Sequence, residues 1–297
     1  MQQLRPQLNN QLTRFKRIGL FDSGVGGLSV LRRLAELPES ASRSFVYLGD
    51  TARCPYGNRS AEEIALFVGQ IVKWLQRLEV EAIVMACNTS AAMARTAADN
   101  IATVPVFDLI EPTAEAVAEL RGRLGVMATA STVRSRAFSN AIAAKNSKAD
   151  VIEYGCPDLV PFVESGRIET EECNAVLSRY VERLRADAVE TVILGCTHFP
   201  FLRRSLERLS ENHITFVDPA QILSGTTGAE RPPEYRCDLY VTGDPASFTR
   251  AAQICQGDMP FHSKHIAIEE LEACHSGGAF AIPAESIAPS GATPVVQ

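Results

Sequence analysis

The chain has 297 residues, 46% of them apolar and 22% charged, and carries a formal net charge of −6. That balance excludes a disordered chain and argues against a nucleic-acid groove as the main surface. The length suffices for one large buried core or two ordinary ones.

The opening stretch MQQLRPQLNNQLTRFKR is polar and basic and lacks the apolar centre of a secretory signal, so it reads as a leader or an added helix. No run reaches the ~18 uninterrupted apolar residues of a membrane span. The eight cysteines (54, 87, 156, 173, 196, 237, 255 and 274) form no C-x-x-C pair, which predicts reduced thiols in a cytoplasmic chain.

Short apolar runs closed by turn residues predict strands over 18–22, 45–48, 82–86, 104–107, 124–128, 151–154, 191–194 and 214–217. Helices are predicted between them, over 28–37, 61–78, 90–100, 170–185 and 201–209. In the second of these, Ser60 with Glu62 and Glu63 marks a start, and Ile64, Phe67, Val68, Ile71, Leu75 and Leu78 repeat at helical spacing. Nearly continuous apolar character suits strands covered on both faces, and the alternation with helices means α/β with parallel sheets. The pattern occurs twice. One set of strands leads to Cys87 and a second to Cys196, 109 positions on, about one small domain. Ligands of open parallel sheets bind outside the C-terminal strand ends, so two facing domains would bring both cysteines to one cleft.

Four stretches stand at such strand ends. FDSGVGGLSV (21–30) sets Gly24, Gly26 and Gly27 between a strand and a helix, but Ser29 occupies the place of the third glycine of a dinucleotide fingerprint. It reads instead as a loop presenting Asp22 and Ser23 to a cleft, with a bare tight turn as the alternative. In YLGDTARCPYGNRS (47–60), Pro55, Tyr56, Gly57 and Asn58 have turn composition, and Cys54 taken alone is buried filler. Cys87 is followed by Asn88, Thr89 and Ser90; Cys196 is followed by Thr197, His198 and Pro200. Each thiol is expected near a helix N-terminus, whose partial positive charge favours thiolate; lowering a thiol pKa by about 1.5 takes about 2 kcal/mol. A covalent nucleophile needs one cysteine. Two opposed acid–base groups suit removal of a Cα proton on one face and its return on the other, which is racemisation or epimerisation, with amide and hydroxyl groups to grip carboxylates and an ammonium.

FDSGVGGLSV, GDTARCPYG, ACNTSAA and LGCTHFPFL closely resemble the four signature stretches of the glutamate racemases, within the aspartate/glutamate racemase superfamily. GVMATASTVRS, the CP of YGCPDLVPFVESG, VDPA and VTGDPASFTRAA extend the resemblance from about residue 18 to 255. It implies two pseudo-symmetric α/β domains with parallel sheets flanked by helices and the active site in the cleft between them. The division expected is 1–113 with 225–275 as a first, discontinuous domain, 114–224 as a second, and 276–297 as a mobile tail. It implies interconversion of L- and D-glutamate without pyridoxal phosphate, metal or nucleotide, supplying D-glutamate for peptidoglycan. Cys87 would act on the D-enantiomer and Cys196 on the L-enantiomer, tuned by Asp22 and His198. Asp22, Ser23, Tyr56, Gly57, Asn88, Thr89 and Thr197 would hold the substrate. A homodimer and a cell-wall precursor as activator belong to the same expectation.

The five lysines (16, 73, 145, 148 and 264) include none at a strand end beside a motif, which speaks against a Schiff-base lysine. His262, His265, Cys274 and His275 fit no standard zinc spacing, and His213 reads as a solvated turn residue. Asp108 in VPVFDLIEP stands where relatives often carry glycine. The rival readings are a racemase of aspartate or another amino acid, a racemase-like regulatory binding protein acting on a partner such as DNA gyrase, and a nucleotide-binding oxidoreductase. The last leaves both cysteines unexplained.

Overall fold

The computed structural model describes residues 11–37, 40, 42–224, 235–256, 263–275 and 295–296. Their strands, in chain order, are β1 (Arg17–Asp22), β2 (Ser44–Gly49), β3 (Ala82–Met85), β4 (Val106–Phe107), β5 (Arg123–Ala128), β6 (Val151–Gly155), β7 (Val189–Leu194), β8 (Thr215–Val217), β9 (Tyr235–Val241), β10 (Ser263–His265) and β11 (Val295–Val296). One sheet runs β10-β9-β2-β1-β3-β4 with all these neighbours parallel, and β11 adds antiparallel to β9. The other runs β6-β5-β7-β8, parallel throughout. Helices flank both sheets, as the strand–helix alternation predicts.

Four strands of each sheet share one order, β2-β1-β3-β4 and β6-β5-β7-β8. The doubling read along the chain is therefore a doubling of topology: β1 corresponds to β5, and β3 to β7. In each set the order reverses at the first strand, and the crevice lies at the C-terminal ends of β1 with β3 and of β5 with β7. β3 is buried along its whole length and β1 from Ile18 onward, which explains the continuous apolar runs. Each of the two large apolar clusters contains residues of both sheets: Leu20 with Met127 in one, Ile83 with Val126 in the other.

The structure departs from the sequence reading at several places. β9 was not predicted, because in YRCDLYV exposed Arg236 and half-buried Asp238 alternate with buried Tyr235, Cys237 and Leu239. An alternating strand escapes a search for continuous apolar runs, yet β9 lies inside the sheet, with Asp238 3.4 Å from Arg17 of β1. The predicted helix 90–100 begins at Asn88, directly after Cys87, and the predicted helix 201–209 is a 3-10 turn (Phe199–Leu202) followed by Arg203–Leu209. Asp108 accepts a hydrogen bond from the backbone N–H of Ile110 at 2.8 Å and pairs with Arg95, so its carboxylate opens the helix Ile110–Val117. His213 is exposed, as expected, and His265 is exposed while Cys274 is buried. Residues 1–10 of the leader, residues 276–294 and 297 of the tail, and His262 lie outside the described residues.

The helix Ala61–Arg77, which follows the GDTARCPYG loop, starts with a full capping box. Ser60 accepts from the Glu63 backbone N–H, and the Glu63 carboxylate accepts from the Ser60 N–H. Ser60→Ala is expected to lower stability by about 1 kcal/mol, read as a lower urea midpoint with an unchanged slope.

Candidate active site

Strand ends from both sheets wall a single cavity. The first sheet contributes Ser23 after β1, Pro55, Tyr56 and Gly57 after β2, and Cys87, Asn88 and Thr89 after β3. The second contributes Thr129 after β5, Val160 after β6, and Cys196, Thr197 and His198 after β7. Corresponding strands supply corresponding residues: Cys87 matches Cys196, and Ser23 matches Thr129. Both cysteines are nearly fully buried.

The glycines of FDSGVGGLSV find their reason here. A Cβ on Gly26 would stand 2.4 Å from Thr197 Oγ1 and 2.6 Å from His198 Nδ1, and one on Gly24 would collide with the Glu164 carboxylate. The loop lacks side chains so that residues of the other sheet can lie against it. In that space Thr197 Oγ1 donates to Asp22 Oδ2 at 2.8 Å, and the Gly24 backbone N–H donates to Asp22 Oδ1 at 2.8 Å. Asp22 is fully buried and lies behind the cavity wall rather than in it.

The two thiols have opposite electrostatic neighbours. Burial pushes the Cys87 thiol up to about 11, the Asp22 carboxylate adds to the rise, and the polar groups of Ser90 pull the other way. The expectation that a helix N-terminus would favour thiolate at Cys87 is thus overturned: Cys87 does precede the helix Asn88–Ile101, but burial and Asp22 outweigh the helix end. Cys196 is followed by a 3-10 turn of four residues and not by an α-helix, so no helix dipole is aimed at it. Its neighbour is His198, whose Nδ1 lies 3.7 Å from Cys196 Sγ and whose Nε2 lies 2.5 Å from Glu164 Oε1. Burial opposes charge on this imidazole, yet hydrogen bonds and charges of Cys196 and Glu164 raise it well above the usual histidine value. Asp22 is itself raised by burial, against the lowering effect of His198, the Gly24 N–H and Thr197.

Polar groups complete the walls. Thr89 and Thr129 share a hydrogen bond of 2.9 Å across the two sheets, and Ser131 donates to the Gly57 carbonyl at 2.8 Å. The Tyr56 hydroxyl donates to Asp50, which also holds Arg53 and Thr242. Asn88 is 1% exposed, and neither its amide nitrogen nor its oxygen has a partner. A buried amide with both ends unmade is costly, and it borders the cavity, where a polar ligand would satisfy it.

Of the residues singled out from the sequence, Ser23, Tyr56, Gly57, Cys87, Asn88, Thr89, Cys196, Thr197 and His198 all line the cavity. Sequence reasoning missed Glu164, Thr129 and Val160. Glu164 had a signal: it is the one charged residue in the apolar helix Leu159–Glu164, directly before a turn at Ser165 and Gly166. Its carboxylate also accepts the Val25 N–H at 2.9 Å.

Glu164→Gln should move the His198 titration midpoint downward in nitrogen-detected NMR. Because the folded-state value of His198 lies above the unfolded one, its pairing with Glu164 stabilises the fold below the unfolded value and is lost as pH rises through the folded value. The stability gap between wild type and Glu164→Gln is therefore expected to be widest at about pH 5–6.5 and to close at alkaline pH. A gap independent of pH would exclude an imidazolium.

Residues 18–225 match the family described as Asp/Glu/Hydantoin racemase. The glutamate racemase of Gloeobacter violaceus is 41% identical over 242 residues, covering 79% of this chain and 90% of that protein. Among solved structures, the glutamate racemase from Francisella tularensis in complex with D-glutamate is 30% identical, with a TM-score of 0.75 over 86% of this chain and 98% of that one. The glutamate racemase from Thermus thermophilus, in complex with beta-chloro-D-alanine, is 33% identical, with a TM-score of 0.72 over 86% and 98% of the two chains. The fold, the match over most of the chain and these relatives agree: the chain belongs to the Asp/Glu/Hydantoin racemase family.

Proposed function

We propose that this chain is a glutamate racemase working by two thiols without a cofactor. The observation that carries the reading is the entry of Cys87 and Cys196 into one buried cavity from corresponding strand ends of two like-ordered sheets. In the L-to-D direction, Cys196 removes the Cα proton and Cys87 delivers its own to the opposite face; in the D-to-L direction the roles exchange. The neighbours suit the first direction. Asp22 and burial keep Cys87 as the proton-bearing thiol, and the His198 imidazolium, held by Glu164, faces Cys196. Asn88, with its unmade amide, together with Ser23, Thr89, Thr197, Tyr56 and the Gly57 backbone, would hold the substrate's carboxylates and ammonium.

Both near relatives in crystal form carry the name glutamate racemase, and one holds D-glutamate, which supports glutamate as the substrate. The same reading places the enzyme in the cytoplasm, as a homodimer with a cell-wall precursor as activator, supplying D-glutamate for peptidoglycan. No helix among the described residues is long and apolar enough to cross a membrane.

Incubation of L-glutamate in D2O tests the mechanism. Two separate acid–base groups predict deuterium at Cα of the D-product early in the reaction while the remaining L-substrate stays protiated. Early exchange into the substrate would point to a single base. Cys87→Ser and Cys196→Ser should each lose about 10²–10⁴-fold or more in turnover in both directions. Near-normal turnover by either variant would sink the mechanism, and preference for aspartate in a parallel assay would change the substrate.

A further inference from the structure

Cys54 has no part in the chemistry above. It is half-buried, does not line the cavity, and sits 3.9 Å from the Ser23 hydroxyl. Its sulfur nevertheless lies in a cluster with a Glu164 oxygen and a His198 ring nitrogen, all three within 4.8 Å of one another. We propose that Cys54, Glu164 and His198 form an inhibitory site for a thiophilic divalent cation, Zn2+ in particular, which clamps the two sheets together across the cleft.

The donor set is the first argument. Thiolate, imidazole and carboxylate are the side chains that bind Zn2+, at about 2.0–2.3 Å, and three of them leave the fourth tetrahedral position to solvent. The second argument is the origin of the donors. Cys54 follows β2 of the first sheet, whereas Glu164 ends the helix after β6 and His198 follows β7 of the second. A cation held by all three is a cross-link between the halves of the cavity wall. The third is orientation. His198 turns Nδ1 to Cys196 and Nε2 to Glu164, so Nε2, beside the carboxylate, is the nitrogen that would take the metal once its proton is displaced. The cation takes the place of the proton between Nε2 and Glu164, and the Nε2 and Cys54 protons leave to solvent. Burial, with Glu164 and Asp22 bearing on Cys54 as negative charges, raises its thiol; the same negative charges favour a cation, which binds by displacing the thiol proton. A clamp here ties the walls and locks His198 and Glu164 onto the cation, so substrate exchange is blocked and the Nε2–Glu164 proton is no longer present behind Cys196.

The probe is Co2+ added to chelator-treated full-length protein, followed by Zn2+. Wild type is expected to bind one equivalent with a thiolate-to-cobalt charge-transfer band, which Zn2+ removes. Cys54→Ala should lose that band and tolerate at least tenfold more Zn2+ before glutamate racemisation halves, with its metal-free turnover intact. Glu164→Gln should weaken Co2+ binding with the band retained, which keeps the test open if Cys54→Ala does not fold. A band that survives in Cys54→Ala assigns the metal to Cys87 and Cys196 and overturns the proposal, as does a wild type without a band. The inhibition arm rests on the racemase reading and the cobalt spectrum does not: a Cys54-dependent band in a protein that turns over no amino acid supports the metal site and removes the racemase.

Discussion

Thr197 reaches from the second sheet to donate a hydrogen bond to buried Asp22 of the first, through a gap left by Gly26. A carboxylate so placed is tolerable only while its oxygens are satisfied; an unmade buried bond costs about 1–3 kcal/mol, and more for a charged group. Asp22 therefore holds the ends of β1 and β7 at one separation, and the positions of Cys87 and Cys196, each next to one of those ends, follow from it. The contact of Thr89 with Thr129 and that of Ser131 with Gly57 repeat the tie on the other side of the cavity.

Within this doubled framework the chemistry is not symmetric. Like-ordered strands deliver like residues, a cysteine after β3 and another after β7. What differs is the neighbour: a carboxylate bearing on one thiol and the His198 imidazole facing the other. A pair of interacting thiols in identical surroundings loses its protons in two steps, and a single proton between them sits equally on either sulfur. Unlike neighbours remove that equivalence: burial and Asp22 favour the proton on Cys87, as a two-base reaction started by the other sulfur needs.

Much of this was legible in the residues. The continuous apolar runs marked eight strands because buried parallel strands need apolar side chains on both faces. The hydrogen-bonding residues after each cysteine marked the cavity because packing alone does not ask for them. The strand Tyr235–Val241 was missed because its alternating pattern, with Arg236 and Asp238, resembles a surface segment. Glu164 was missed because its partners lie 34 positions away at His198 and 139 away at Val25, beyond any local pattern.

By itself, then, the sequence determined the α/β class, the doubling, the two thiols and most of the cavity wall, since these depend on side-chain type and local spacing. Only the tertiary structure decided the electrostatics. A helix start after Cys87 argued for a thiolate, but the sign at that sulfur depends on desolvation and on Asp22, 65 positions away, and it comes out opposite. Likewise, Cys54 is filler in a turn until folding brings Glu164 and His198 to it. Charge and coordination act through space over a few ångströms, and distance in space is what the order of residues does not state.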